Sequence, residues 1–339
     1  MTFEQGPVTA ELQSLLQDAL GPDYRIEQEL AAGGMSRLFL ATELRLNRRV
    51  VVKVLAPELV TETSTARFKR EIEVTVRLQH PHILPVLTSG SFGDVIYYIT
   101  PFMPGESLRA RIAREHKLPL AAILVILREV GGALAFAHQE SVVHRDVKPG
   151  NILLADGHAI LADFGIARAV SATATALTRD GISPGTLPYM APELPTDEGA
   201  DVYALGVVAH EMLTGALPKR GATAKDVLAA RGVVPHDSSV QLRALAQLVS
   251  RTISRAPGGS FTSAQDFCDA LAEVPMRRAR SRIVGVAALS ALFAATAAVF
   301  VARSNSQPAV IDDGYAVLPL AGGTPQASGQ RIAEHLSDE

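Results

Sequence analysis

Asp146, Lys148, Asn151 and Asp163 fall within one short stretch, and their types suit the transfer of a phosphoryl group. Apolar runs at 152–155 and 159–162 flank Asp156-Gly157, a pair that tolerates positive φ at both turn positions and predicts a hairpin. Folding about that turn brings Asn151 and Asp163 opposite each other, an amide oxygen and a carboxylate at one mouth. Hard oxygen donors of this kind suit Mg²⁺, which shares its octahedral shell with nucleotide phosphates. Asp146 can accept the proton of an incoming hydroxyl. A free aspartate titrates near about pH 3.9, so its main part is to position that hydroxyl.

Other segments must hold the rest of a nucleotide. Residues 49–55 read as a buried strand interrupted by Lys53, and a charge in such a strand needs an anionic partner. Residues 24–41 alternate with period two around Ala31-Ala32-Gly33-Gly34-Met35-Ser36, with Leu38 and Leu40 resuming the period. That Gly-rich turn lets backbone N–H groups approach phosphates. A helix at 65–79 puts Phe68, Ile72, Thr75 and Val76 on one face, with Glu71 projecting near it. Strands follow at 83–90 and 95–102, joined through Phe92-Gly93-Asp94. Residues 120–140 form a long apolar helix. Arg128, Glu129, His138 and the immediate junction to Asp146 make it a core helix rather than a membrane span. Further helices are expected at 201–214, 224–230, 241–253 and 263–271, and an amphipathic lead-in helix at 8–20.

The run His144-Arg145-Asp146-Val147-Lys148-Pro149-Gly150-Asn151, followed by Asp163-Phe164-Gly165, resembles the catalytic loop and metal-binding motif of the eukaryotic-type protein kinases, in particular the bacterial membrane-anchored serine/threonine members. The resemblance covers about residues 24–272. It implies an α+β, bilobal fold, with a small β-rich lobe at 24–100 and a larger helical lobe at 104–274 of one kinase domain, 24–274. ATP and Mg²⁺ are the implied cofactors. By the resemblance Asn151 and Asp163 hold the metal, Lys53 paired to Glu71 positions the phosphates, and Lys148 neutralises charge on the moving group. Ala31, Ala32, Gly33, Gly34, Met35, Ser36 and Leu38 cover the nucleotide, although Ala31 and Ser36 stand where glycines are expected. Thr100 matches the gatekeeper, the Pro101 carbonyl and Met103 N–H face the adenine edge, and Ser107 matches a ribose contact, with a plain helix cap as its alternative.

Residues 171–193 resemble an activation segment, which separates protein kinases from small-molecule kinases. Ser171, Thr173, Thr175 and Thr178 are candidate autophosphorylation sites, with Arg145 placed to meet the phosphate. Thr186 matches a contact to the catalytic loop, and Asp201 the residue that buttresses that loop. Ser260 stands where the family places an arginine for Glu193, and the interval from Glu193 to Asp201 is shorter than the family's.

A net charge of -3 gives no reason to expect nucleic-acid binding, and a single cysteine, Cys268, excludes an intramolecular disulfide. His80 and His82 look like a metal pair, but a helix end followed by a turn accounts for them better. Residues 275–282 are basic and precede 283–302, a charge-free run that spans about 30 Å as a helix. One transmembrane helix is expected, with the kinase domain cytoplasmic by the arginines at 277, 278, 280 and 282, and the C-terminus outside the plasma membrane. Gly285, Ser290 and Thr296 permit close helix pairing, hence a homodimer. No signal peptide is visible, since Glu4 and Glu11 interrupt any apolar run. Residues 303–339 form an acidic tail, either disordered or the opening of a truncated sensor domain.

The reading is a serine/threonine protein kinase acting on protein hydroxyls. Its rivals are a pseudokinase scaffold, a small-molecule kinase and a membrane sensor that signals through the tail.

Overall fold

The structure is a computed structural model that describes residues 7–32, 36–55, 72–93, 95–164, 187–190, 198–233, 239–254 and 260–275. The chain divides into two compact units, 1–277 and 278–339, and the second lies outside the described residues, as do the membrane span and the tail.

Five antiparallel strands make the small lobe: β1 (Tyr24–Ala32), β2 (Ser36–Glu43), β3 (Arg48–Leu55), β4 (Thr88–Phe92) and β5 (Val95–Pro101), in the order β1-β2-β3-β5-β4. Alternation along β3 buries Val50, Val52 and Val54, so β3 sits mid-sheet between β2 and β5. The register sets Lys53 opposite Leu38 on one side and Tyr98 on the other. Helix α1 (Pro7–Leu20) lays Leu12, Leu16 and Leu20 in one apolar cluster with Phe39, Val50, Val52 and Ile99. Gln17 ties α1 to the entry of β1, donating to the carbonyls of Gly21 and Tyr24 and accepting from Ile26 N–H. The lead-in helix is therefore part of the small-lobe core.

Two expected elements differ. The strand expected from residue 83 starts only at Thr88, because Ile83 bridges Leu161 in parallel and residues 82–84 bond to the large lobe before Leu87 N–H reaches the Ile99 carbonyl. In the expected 65–79 helix, residues 72–75 are helical and Ile72 and Thr75 are buried, but Val76 is 47% exposed. Bonds of i→i−3 type at Arg77 and Leu78 tighten the last turn, so Leu78 takes the next core position.

The large lobe holds a three-stranded sheet, β6 (Glu106–Ser107), β7 (Ile152–Ala155) and β8 (His158–Leu161), in that order. Asp156 and Gly157 turn with φ of 51° and 84°, as the pair predicts. Gly105 closes on the backbone of β7. A Cβ there would meet the Leu154 oxygen at 2.0 Å at a φ of 150°, so only glycine fits. The helices are α2 (Leu108–Glu115), α3 (Leu120–Gln139), α4 (Glu198–Thr214), α5 (Ala224–Ala230), α6 (Val240–Thr252) and α7 (Ala264–Ala272). Among the described residues α3 alone is long and apolar enough to cross a membrane. Its Leu127, Val130, Ala133, Leu134 and Ala137 are instead buried within the large-lobe core, among residues of α4, α7 and β8. Each buried leucine contributes roughly 1.5–3 kcal/mol, which explains an apolar composition without lipid.

Candidate active site

The turn joining α3 to β7 carries Asp146, and a buried carboxylate beneath it fixes the loop. Asp201, in the first turn of α4, accepts from the backbone N–H groups of His144 and Arg145, both at 2.7 Å, and from His138 Nε2 at 2.9 Å. Arg145 has a φ of 64°, a conformation costing about 1–3 kcal/mol for a non-glycine residue, and the Asp201 bond to its N–H helps hold it. His144 is fully buried. Its Nδ1 accepts from Asp146 N–H at 3.2 Å, so its Nε2 carries the proton donated to the Ala162 carbonyl at 3.0 Å. The ring also lies 4.6 Å from that of buried Phe164, linking the loop to the residue after Asp163.

Asp146 Oδ2 receives Lys148 Nζ at 2.8 Å and Asn151 Nδ2 at 2.9 Å, and the second Nδ2 hydrogen goes to the Asp146 carbonyl at 2.8 Å. Both hydrogens of the Asn151 amide are thereby committed to Asp146, which makes its oxygen the atom offered to a cation. Hairpin register places Asn151 opposite Ala162, whose N–H donates to the Asn151 carbonyl at 2.8 Å. Asp163 therefore follows one residue beyond the position opposite Asn151.

Asp163 faces Lys53 across the lobes. Lys53 Nζ lies 2.8 Å from its Oδ2, and the Tyr98 hydroxyl donates to its Oδ1 at 2.8 Å. Burial works against the ionised carboxyl, but the Lys53 charge and the hydrogen bonds from Lys53 and Tyr98 outweigh it and hold Asp163 below the ordinary carboxylate range. Burial first, then the Asp163 charge, push the Tyr98 phenol well up, so it is the donor. An ionised, 31% exposed carboxylate beside an amide oxygen is the donor set Mg²⁺ takes with phosphates, so these residues fit the metal and the nucleotide.

Lys53 has Asp163 as its anion; Glu71, expected in that role, lies outside the described residues. So do Gly33, Gly34, Met35, Ser171, Thr173, Thr175, Thr178, Thr186 and Glu193. Ala31 pairs with Leu38, Ala32 with Arg37, and Ser36 with Leu55 at the rims of β1, β2 and β3. Thr100 is buried and Pro101 ends β5, opposite Val51 and Val50, and half-buried Met103 follows. Ser107 caps α2, its hydroxyl accepting from Ala110 N–H at 3.2 Å, which is the plain structural alternative for that residue. Ser260 donates to the Thr252 carbonyl at 2.9 Å.

Sequence reasoning missed Tyr98 and a triad centred on buried Glu211. The triad joins Glu211 of α4 to Arg109 of α2 at 2.6 Å and to the Tyr189 hydroxyl at 2.5 Å, with Arg109 also donating to Tyr189. Tyr98 was accessible only through register, since it is the cross-strand neighbour of Lys53. Nothing local marks Glu211, whose partners lie 102 and 22 residues away.

Residues 24–278 match the protein kinase domain. Among curated proteins, the serine/threonine-protein kinase PknD of Mycobacterium tuberculosis is 37% identical over 259 residues, covering 73% of this chain and 39% of PknD. PknA of the same organism is 35% identical over 307 residues, 84% of this chain and 70% of PknA. PknJ of Mycobacterium bovis is 36% identical over 266 residues, 74% of this chain and 45% of PknJ. The chain thus spans about two-fifths of PknD and most of PknA. With that match laid over the loop at Asp146 and the carboxylate at Asp163, the chain belongs to the protein kinase family.

Proposed function

We propose that this chain is a serine/threonine protein kinase that transfers the γ-phosphate of ATP to protein hydroxyls. The observation that carries the reading is the convergence of Lys148 and Asn151 on one carboxylate oxygen of Asp146, with Asp163 and Lys53 paired across the lobes. Asp146 orients the acceptor hydroxyl and takes its proton, while Lys148, 2.8 Å away, offsets negative charge at the transferring group. Lys53 holds the phosphates. Asn151 and Asp163 would hold Mg²⁺, which supplies charge neutralisation on the phosphate oxygens when bound. Asp201 acts through the backbone of His144 and Arg145 and is a positioning residue.

Incubating the full chain in detergent with Mg-ATP and a generic protein substrate, beside Asp146→Asn and Lys53→Met, tests this. Transfer by the wild type to serine or threonine, lost in both variants, is the expected result. Nucleotide binding without transfer would favour a scaffold.

Residues 283–302 anchor the chain in the plasma membrane as a single pass, with the kinase domain cytoplasmic and the tail outside. The support is a charge-free run of bilayer length with four arginines on its N-terminal flank. Protease treatment of intact cells that removes the kinase domain before lysis would overturn that orientation. Autophosphorylation at Ser171, Thr173, Thr175 or Thr178 orders the segment through Arg145; phosphopeptide mapping that finds these sites empty in active enzyme would sink it. Pairing of the span through Gly285, Ser290 and Thr296 would give a homodimer, read by crosslinking in membranes.

A further inference from the structure

His82, Glu129 and His158 come from three different elements: the loop before β4, helix α3, and the first residue of β8. Each offers one ligand atom, and these atoms lie within 4.8 Å of one another. The cluster is built rather than incidental, because one residue orients two of its members. The Ala159 carbonyl accepts from His82 Nδ1 at 2.9 Å, and the Ala159 N–H donates to Glu129 Oε2 at 2.7 Å. A carbonyl only accepts, so His82 Nδ1 carries the proton and Nε2 keeps its lone pair. This is the outer-shell arrangement that fixes the tautomer of metal-binding histidines. His158 Nδ1 lies 2.7 Å from Glu129 Oε1, and the His82 and His158 rings are 5.8 Å apart. Behind them His80 stacks on Phe136 at 5.3 Å and accepts from His82 N–H at 3.2 Å, which restrains the loop.

We propose that His82, Glu129 and His158 bind one divalent cation of the zinc class, with water completing the shell. Two imidazoles and a carboxylate are a borderline donor set that favours zinc over magnesium or calcium. Tetrahedral zinc with bonds of about 2.1 Å needs ligand atoms about 3.4 Å apart, so the widest separation, within 4.8 Å, must close while His158 Nδ1 and Glu129 Oε1, now 2.7 Å apart, open slightly. His158 is 63% exposed on its side chain and free of the core, so it can make that movement. A neutral His158 that gives its Nδ1 lone pair to the cation keeps its single ring proton on Nε2, and Glu129 Oε1 exchanges that hydrogen bond for the metal. Binding would pin the loop to the strand that leads to Asp163: Leu161 N–H donates to the His82 carbonyl, and Leu84 N–H to the Leu161 carbonyl, both at 2.9 Å.

The test titrates Co²⁺ into the full chain in detergent, follows the visible absorption of four-coordinate cobalt, and displaces it with Zn²⁺. One equivalent should give the band, His82→Gln and His158→Gln should each weaken binding at least about tenfold, and Asp163→Asn should keep it. Asp163→Asn separates this cation from one at the active site, and the exposure of His158 keeps its variant folded. No band in the wild type, a band of unchanged affinity in either glutamine variant, or its loss in Asp163→Asn overturns the proposal.

Discussion

Asp201 and Asp163 are both acidic residues holding several donors, yet their surroundings differ. Asp201 lies beneath the catalytic loop, is 2% exposed, and takes two backbone N–H groups and a buried histidine. Asp163 lies at the mouth between the lobes, partly exposed, and takes two side-chain donors. Backbone donors cannot leave without unfolding the loop, whereas side-chain donors can exchange partners when a nucleotide arrives. The floor serves geometry, and the mouth serves exchange.

The largest expected effect breaks the mouth alone. Asp163→Asn should lower transfer by about a thousandfold or more while the melting temperature moves by less than about 4 °C, since no backbone bond is lost. A collapse of the melting temperature would mean the mouth is structural after all. Asp201→Ala should act the other way round: two buried backbone N–H groups lose their acceptor, and stability should fall by about 3 kcal/mol in denaturant titration, with activity falling alongside.

Acid sharpens the contrast further. The folded Asp163 carboxyl is held low by Lys53 and Tyr98 against the opposing effect of burial. Its contribution to stability is therefore present above the unfolded carboxylate value and is lost as pH falls through the lower folded value. Lys53→Met removes the main lowering influence, so its stability should fall less between neutral pH and about pH 3 than that of the wild type. Equal slopes in parallel denaturation series would show that Lys53 does not set this carboxylate. The smallest effect belongs to Tyr98→Phe, which removes one donor while Lys53 remains. A stability change under about 1.5 kcal/mol and a transfer rate within about tenfold of wild type are expected.

Short-range chemistry made much of this legible. Asp156-Gly157 predicted its hairpin because positive φ is a local demand, and the helices at 224–230 and 263–271 lay close to where their caps, Thr223 and Ser263, place them. The 65–79 face was read one residue wrong at Val76, because the tightened last turn is set by packing of Leu78 rather than by periodicity. The strand from residue 83 failed for a related reason: its first residues, Ile83 and Leu84, bond to Leu161 of β8, and only from Leu87, whose N–H donates to the Ile99 carbonyl, does the segment join β5.

By itself the sequence determined the kinase resemblance and which residues could carry the chemistry, since a catalytic loop is a contiguous pattern whose parts must sit at fixed chain spacing. Tertiary structure decided which partner each charge has: Asp163 for Lys53, Arg109 and Tyr189 for Glu211, and His158 beside His82 from 76 residues away. Partner choice depends on sheet register and helix packing, which bring distant side chains within a few ångströms and leave no trace in local spacing.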